Sequence, residues 1–254
     1  MGEVIRIATL NSEGGAHGPH LLRIQEFLGY SGIQILAMQE VFRTDGAWIK
    51  EMIRGTSHHF LNNFTVASPL SERIPATGPF GVALFARFQA IAWQSIYYTI
   101  SNHRAAVFED PQEYPTRRGV LIVDYSLPTG SNVRVATTHF TWSPDGQITQ
   151  EQQNDWGRLS QVLERTQPDV VMGDFNIPRA TQLGITLEQT FQSAIPQSVT
   201  TTLVPSQHQN PGIPDRVVDY IFIPKDSQYQ LVPNSVELEP VADHCAIVCN
   251  IVRK

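Results

Sequence analysis

A short apolar segment followed by polar residues constrains this chain more than any other stretch. Residues 169–172 predict a buried β-strand that ends at Gly173. Asp174 and Asn176 follow, and side chains two apart in an extended chain point to the same side. A carboxylate and a carboxamide placed in this way can hold a water and a phosphoryl oxygen together. Asp, Asn and Gly are also common turn formers, so this stretch alone favours a turn.

Strand-like segments recur along most of the chain. About eleven segments are rich in β-branched and aromatic residues, the composition that favours extended structure. They span residues 4–10, 33–38, 60–67, 81–85, 91–100, 119–125, 133–138, 169–172, 217–223, 229–238 and 245–252.

Three segments predict helices, at residues 19–28, 46–53 and 149–166. In the last of them, apolar residues from Trp156 to Leu163 recur at helical spacing. Many strands with few helices indicate two sheets with helices outside, a layered α/β sandwich. No internal repeat or low-complexity linker divides the chain, so we expect a single domain over residues 1–254.

Three stretches predict no regular structure. Residues 68–79 and 101–118 predict long loops, which in a compact domain usually carry function. Residues 179–214 are rich in Gln, Thr and Pro, and they predict an irregular region.

The charge balance limits the class of partner. A net charge of −6, from 18 basic and 24 acidic residues, argues against a broad electrostatic footprint for nucleic acid. It leaves room for a small basic patch beside a metal site, so nucleic acid stays among the candidate phosphoester substrates. Nothing in the sequence predicts an obligate protein partner.

The cysteines and the apolar segments bear on the compartment. Cys245 and Cys249 lie in one predicted strand, where their Cα atoms would be about 13 Å apart, too far for a disulfide. We therefore expect buried thiols in a reducing compartment. The first residues form a strand rather than a signal peptide, and no apolar run is long enough for a membrane span. These features predict a cytoplasmic protein.

Several predicted strands carry, at or near their ends, residues of the kind that bind a metal or a phosphate. Ligand sites in layered folds gather where strand ends meet loops. One such strand end means little, but six in one chain are more than the frequency of polar residues in turns explains. The residues are Asn11, Glu40, His139, Asp174 with Asn176, Asp219, and Asp243 with His244.

Two of these residues suggest specific chemistry. Glu40 follows an apolar strand and offers carboxylate oxygens, which suit Mg²⁺, although a solvated loop residue is the alternative. Asp219 lies in an apolar segment, where a buried acid needs a partner. A histidine is an apt partner, because a carboxylate fixes the imidazole tautomer and favours its charged form. An acid facing solvent on an edge strand is the alternative.

Taken together, these stretches resemble the endonuclease/exonuclease/phosphatase superfamily. This superfamily of metal-dependent phosphoesterases includes deoxyribonucleases, abasic-site endonucleases, sphingomyelinases and inositol-polyphosphate phosphatases. Each motif alone is weak, but their order over residues 5–250 is specific. The resemblance implies a four-layer αββα sandwich with two packed mixed β-sheets and outer helices. The matching motifs are Leu10-Asn11, Gln39-Glu40, Thr138-His139, Gly173-Asp174-Phe175-Asn176, Asp219-Tyr220-Ile221 and Asp243-His244.

The resemblance also implies a metal site. Glu40 resembles the principal Mg²⁺ ligand, and Asn11 and Asp243 match positions at or near the metal, with Mn²⁺ as an alternative ion. Asp174 is similar to the residue that orients or deprotonates the attacking water.

The remaining motif residues match groups that act on the phosphate. Asn176 and His139 match groups that hold phosphoryl oxygens. His244, paired with Asp219, resembles a dyad that acts as acid–base or charge stabiliser. Arg118 precedes a strand, where some relatives place a basic residue near the substrate, although a solvated turn is the alternative.

The resemblance therefore implies a Mg²⁺-dependent phosphodiesterase or nuclease in which water attacks in line. A phosphatase or phospholipase C-like enzyme acting on a small or lipid phosphate is the alternative. A non-catalytic binding module on this fold would be expected to lack Glu40, Asp174 or His244, and all three are present. A serine hydrolase is disfavoured because the chain has no Gly-x-Ser-x-Gly elbow. The Asn11-Ser12-Glu13 stretch lacks the Asn-x-Asp pattern of the abasic-site branch.

Overall fold

The computed structural model describes residues 3–66, 72–101, 116–143, 145–208 and 212–254. Most of the loop predicted at residues 101–118, and the start of the one predicted at 68–79, lie outside these ranges. Within them, thirteen strands form two sheets, and four α-helices pack around the sheets.

The first sheet is mixed and contains seven strands. Its order is β11-β13-β1-β2-β4-β3, and β12 also pairs with β13. Strands β1 and β2 are parallel, whereas β13 runs antiparallel to β1. The strands are β1 (Val4–Asn11), β2 (Ile35–Phe42), β3 (Ser57–Val66), β4 (Gly78–Ala86), β11 (Tyr229–Leu231), β12 (Glu237–Glu239) and β13 (Ala246–Arg253).

The second sheet is also mixed and contains six strands in the order β5-β6-β7-β8-β10-β9. Strands β7 and β8 are parallel, and β10 runs antiparallel to β8. The strands are β5 (Gln89–Ser101), β6 (Thr116–Ser126), β7 (Asn132–His139), β8 (Val170–Asp174), β9 (Phe191–Ser193) and β10 (Asp219–Pro224).

Helices cover the outer faces of both sheets. Alternate residues of a strand face opposite sides, so Ile7 and Ile35 join the core shared with the second sheet, whereas Leu10 and Leu36 pack under helices. The predicted four-layer αββα sandwich is confirmed. The helices are α1 (Leu21–Tyr30) and α2 (Gly46–Met52) on the first sheet, and α3 (Gln150–Thr166) and α4 (Gln182–Thr190) on the second.

The structure corrects several sequence predictions. The stretch at 179–214 is not wholly irregular, because it contains α4 and β9. The strand predicted at 229–238 is two short strands, β11 and β12. Strand β2 does not end before Glu40 but continues through a β-bulge to Phe42, and Asp219 begins β10 rather than lying within it. Arg118 lies within β6 rather than before a strand.

Other predictions agree with the structure. Helix α3 begins after Thr149, whose hydroxyl accepts a hydrogen bond from the Gln152 backbone N–H, and it ends at Thr166 as predicted. Cys245 and Cys249 are free thiols, but only Cys249 is buried as predicted, and Cys245 is half-buried. In the part of the chain that is described, each helix is too short or too polar to cross a bilayer.

Candidate active site

The carboxyl ends of two parallel strand pairs meet at one edge of the sandwich. In the first sheet, Asn11 at the end of β1 pairs in register with the residue before Glu40. In the second sheet, His139 at the end of β7 pairs in register with Asp174 at the end of β8. Because the sheets are packed face to face, these four polar side chains lie together.

The amide of Asn11 joins the two sheets. Its Nδ2 donates to Glu40 Oε1 at 3.2 Å and to Asp174 Oδ2 at 3.0 Å, while its Oδ1 accepts from the backbone N–H of Glu13 at 3.3 Å. Asn11 is buried, so this bridge lies at the floor of the site. The arrangement holds two carboxylates side by side.

The backbone at Glu40 is unusual. Its φ of 55° lies in the left-handed region, and the β-bulge between Gln39 and Val41 accompanies it. The Gly14 N–H donates to the Glu40 carbonyl at 2.8 Å, and the Ser12 hydroxyl lies between the carbonyl oxygens of Gln39, at 2.9 Å, and Glu40, at 3.1 Å. The bulge aims the Glu40 side chain at Asn11.

Asp174 is held on both oxygens. Asn11 donates to Oδ2, and the backbone N–H of Asn176 donates to Oδ1 at 2.8 Å. Asn176 itself has a φ of 50°, in the left-handed region, so the chain turns at this residue. Burial, followed by the charge of Asp219, raises the pKa of Asp174 to about 6. The carboxylate is therefore poised to exchange a proton near neutral pH.

A glycine is required immediately before Asp174. A Cβ at Gly173 would lie 2.0 Å from the Thr138 carbonyl oxygen, and the φ of this residue is 149°. No other residue type allows β8 to approach β7 so closely at this point. The glycine that ended the apolar segment in the sequence thus positions the polar pair that follows.

His139 lies beside both carboxylates. Its Nε2 is 3.5 Å from Asp174 Oδ2 and 3.8 Å from Glu40 Oε1. Burial, together with the nearby charges of Arg118 and His244, lowers the pKa of His139 well below its usual value. The guanidinium of Arg118 is fixed behind it, where Nη1 donates to the His139 carbonyl oxygen at 3.3 Å. His139 is therefore a neutral imidazole at neutral pH.

His244 and Asp219 form a buried dyad. His244 Nδ1 lies 2.8 Å from Asp219 Oδ2. Burial by itself would lower the pKa of His244, but Asp219, Asp243 and Asp174 raise it well above its usual value. The dyad adjoins Asp174, since ligand-type atoms of Asp174, Asp219 and His244 lie within 4.8 Å of one another. A charged imidazole thus stands next to the carboxylate pair.

The acidic groups fit a hard cation. Burial, followed by the charges of Asp243 and Asp174, raises the pKa of Glu40 to about 7. Asp243 Oδ1 is buried and has no hydrogen-bond partner among the described residues, and burial raises the pKa of Asp243 too. Carboxylates that resist ionisation together, with an unpartnered oxygen, mark a place where a cation would be stabilised. Oxygen donors of this type suit Mg²⁺.

A second acidic group lies beside the first and was missed in the sequence. Glu13 Oε2 is 2.9 Å from His20 Nε2 and 2.8 Å from Arg73 Nη2. Glu13, His20 and Asp243 also offer ligand-type atoms within 4.8 Å of one another. The Arg73 guanidinium already compensates this carboxylate, which distinguishes it from Glu40. Only its place two residues after Asn11 could have indicated it.

Gln152 was also missed. This fully buried residue of α3 donates from Nε2 to the carbonyl oxygens of Thr141, at 2.8 Å, and Asn176, at 3.0 Å. It joins the helix to the chain that follows β7 and to the chain that follows β8. The spacing Thr149-x-x-Gln152 predicts a capping box, but it gives no sign of these two contacts.

All the residues predicted for the site come together at this edge, although their individual roles stay predictions. They are Asn11, Glu40, Arg118, His139, Asp174, Asn176, Asp219, Asp243 and His244.

Solved structures share this fold. An endonuclease/exonuclease/phosphatase from Beutenbergia cavernae is 17% identical, with a TM-score of 0.72 over 98% of this chain and 72% of its own. The human nocturnin catalytic domain with a bound sulfate is 19% identical, with a TM-score of 0.66 over 99% and 94%. Sphingomyelinase C from Streptomyces griseocarneus is 13% identical, with a TM-score of 0.65 over 98% and 99%. At these identities the similarity concerns the fold alone.

The family assignment rests on a comparison of the sequence rather than of the fold. A comparison with curated proteins found no match. The pattern of the Endonuclease/Exonuclease/phosphatase family, however, matches residues 8–244, which include every predicted site residue. This chain is therefore a member of the endonuclease/exonuclease/phosphatase family.

Proposed function

We propose that the protein is a Mg²⁺-dependent phosphodiesterase, with nucleic acid among its candidate substrates. The observation that carries this proposal is the bridge from Asn11 to Glu40 and Asp174, placed beside the Asp219–His244 dyad. Family members hydrolyse phosphoester bonds, and here an acidic pair joined by Asn11 lies beside a cationic histidine. Both kinds of group are needed for attack of water on a phosphodiester.

Asp174 acts on the water. Hydrogen bonds to both of its oxygens fix the carboxylate, and its pKa of about 6 leaves it ionised at pH 7.5 yet basic enough to accept a proton. It therefore orients the water in line with the scissile bond and accepts a proton from it. Asn11 and the Asn176 backbone position Asp174 for this step.

Three groups bind the phosphoryl oxygens. Neutral His139 donates from Nε2, and the Asn176 amide and the Arg118 guanidinium donate from the neighbouring strand ends. Preorganised donors aimed at developing charge usually supply the largest stabilisation of a transition state. His244, kept charged by Asp219, stabilises the developing charge or protonates the leaving oxygen.

Glu40, Asn11 and Asp243 are the residues that would hold Mg²⁺ or Mn²⁺. A divalent ion there supplies positive charge to the phosphoryl oxygens. The raised pKa of Glu40 and the unpartnered Asp243 Oδ1 support this assignment.

The test is hydrolysis of bis(p-nitrophenyl) phosphate with Mg²⁺ or Mn²⁺, beside digests of single-stranded and double-stranded DNA. We expect metal-dependent turnover that EDTA abolishes and that Asp174→Ala and Glu40→Gln reduce by at least about 100-fold. Glu51→Gln, an exposed glutamate on α2, is the matched control and should keep full activity. Turnover that survives in Asp174→Ala would contradict the proposal.

A phosphatase or phospholipase C-like activity is the second candidate. The net charge of −6 disfavours long nucleic acid and so favours a small or lipid phosphate. The fold shared with a sphingomyelinase C is compatible with it. Faster hydrolysis of p-nitrophenyl phosphate than of the diester would identify a phosphatase. Release of phosphocholine from sphingomyelin vesicles would identify the phospholipase C-like activity.

A further inference from the structure

Thr202 lies in the segment between β9 and β10 and is fully buried. Its backbone N–H donates to the Arg216 carbonyl at 2.8 Å, and its carbonyl accepts from the Cys245 N–H at 2.7 Å. The next residue, Leu203, forms an isolated β-bridge with His244. The backbone of Thr202 is thus hydrogen-bonded to the chain that carries His244.

The groups around the Thr202 hydroxyl determine which atom receives its proton in a hydrogen bond. Its oxygen accepts from the backbone N–H groups of Val218, at 3.1 Å, and Asp219, at 3.2 Å. A hydroxyl has one proton and two lone pairs. Since both backbone groups are donors, they occupy the lone pairs, and the single proton is left for Asp219 Oδ2 at 2.7 Å.

His244 uses the same carboxylate oxygen. Its Nδ1 lies 2.8 Å from Asp219 Oδ2, whereas Oδ1 is buried with no hydrogen-bond partner among the described residues. With His244 as sole partner, the carboxylate plane could rotate about its Cβ–Cγ bond while one oxygen kept its contact with Nδ1. The Thr202 hydroxyl restrains this rotation, because it donates to the same oxygen from a second direction.

We infer that Thr202 is a positioning residue for the Asp219–His244 dyad. It sets the orientation of the carboxylate, and through it the direction in which His244 presents its other ring nitrogen, Nε2. A carboxylate that fixes an imidazole in this way also fixes its tautomer. The catalytic consequence rests on the proposed phosphoesterase function, whereas the geometric effect on His244 does not.

The kinetic test compares three variants with the wild type on the chromogenic diester. Thr202→Val should lower kcat about 10-fold with little change in KM, the loss expected for one hydrogen bond to a charged group. Thr202→Ser keeps the hydroxyl and should restore kcat. Thr201→Val removes the neighbouring hydroxyl, which bonds to Leu203 rather than to Asp219, and should behave as the wild type.

Folding must be separated from positioning. Valine leaves the N–H groups of Val218 and Asp219 without their acceptor, so circular dichroism melting accompanies the kinetics. If Thr202→Val does not fold, Thr202→Cys takes its place, because a thiol is a weak donor and acceptor of similar size. Its kcat should lie between those of the wild type and Asp219→Ala.

A double variant tests whether Thr202 acts through Asp219. In the Asp219→Ala background, adding Thr202→Val should cost no further activity. A further 10-fold loss there would mean a merely structural role and would overturn the inference.

Proton NMR tests the geometry without any activity. The His244 Nδ1–H signal, assigned with His244→Ala, should move in Thr202→Val and stay in place in Thr201→Val. That result in a protein inactive on every phosphoester would refute the proposed function and support the positioning role. An unchanged signal and unchanged kcat in Thr202→Val, in an active enzyme, would overturn the inference and leave the function standing.

Discussion

Replacing Glu40 with glutamine changes the charge of the site while keeping its shape. Glutamine retains an oxygen that can accept the hydrogen bond from Asn11 Nδ2, which is 3.2 Å long in the wild type. What it removes is a carboxylate whose pKa is raised from its usual 4.5 to about 7 by burial and by Asp243 and Asp174. In protein stripped of metal, the ionised form of Glu40 is therefore a source of instability.

The sign and size of the stability difference follow from the linkage between proton binding and folding. Because the folded protein holds the Glu40 proton more tightly than the unfolded chain, stability is lost as pH rises from about 4.5 through about 7. Each pKa unit corresponds to about 1.4 kcal/mol, so the metal-free wild type should be about 3 kcal/mol less stable than Glu40→Gln at pH 8. Below pH 4.5 the two proteins should unfold alike, because Glu40 is then protonated in both states.

The assay is unfolding in EDTA at pH 4 and at pH 8. For a chain of this length, about 3 kcal/mol corresponds to a rise in Tm of about 8 °C for Glu40→Gln at pH 8. Glu51→Gln is the control and should follow the wild type at both pH values. Adding Mg²⁺ at pH 8 should stabilise the wild type and leave Glu40→Gln unchanged.

Two results would refute this reasoning. If the wild type and Glu40→Gln lose stability in parallel between pH 4 and pH 8, neither burial nor the neighbouring acids raise the pKa of Glu40 in the folded protein. If the difference between them is as large at pH 4 as at pH 8, it arises from packing rather than from ionisation.

Three further changes test separate parts of the structure. Asn176→Gly keeps the left-handed backbone (φ 50°) and removes the amide, so steady-state kinetics should show kcat about 100-fold lower with Tm little changed. Phe175→Ala removes a buried ring 5.3 Å from that of Phe222 and should cost about 4 kcal/mol in urea unfolding. Its Mg²⁺ affinity by calorimetry should be unchanged, and a loss would contradict the separation of core and site. Thr149→Ala should cost about 1 kcal/mol in the same assay, and Thr149→Ser should restore it.

Sequence reasoning succeeded where the signal is local. Helix α3 carries apolar residues at helical spacing, and this signal lies within the helix itself. The position of the site at one edge of the sandwich was predictable, because the order of the family motifs assigns each polar residue to a strand. Helix α4 was missed, since only Leu183, Gly184 and Leu187 are buried within it and its composition resembles a loop.

The missed contacts at the site join residues that lie far apart in the chain. Glu13 and Arg73 are 60 positions apart, and Thr202 and Asp219 are 17 apart. Periodicity and capping rules describe neighbours within a few residues, so they carry no information about such pairs. The bulge at Glu40 was missed for a related reason, because it is seen only when β2 is paired with β4.

The backbone of the site also argues for the role of Glu40. A φ of 55° at residue 40 favours glycine or asparagine, and a glutamate there has a conformational cost. Ionisation of its carboxylate also costs free energy, because burial and two neighbouring acids oppose it. Backbone preference and stability would therefore both select a residue other than glutamate at this position. Departures from local rules of this kind are expected where function decides the residue. The chemistry of its side chain is therefore the reason for a glutamate at position 40. A carboxylate whose ionised form needs a cation is suited to bind one.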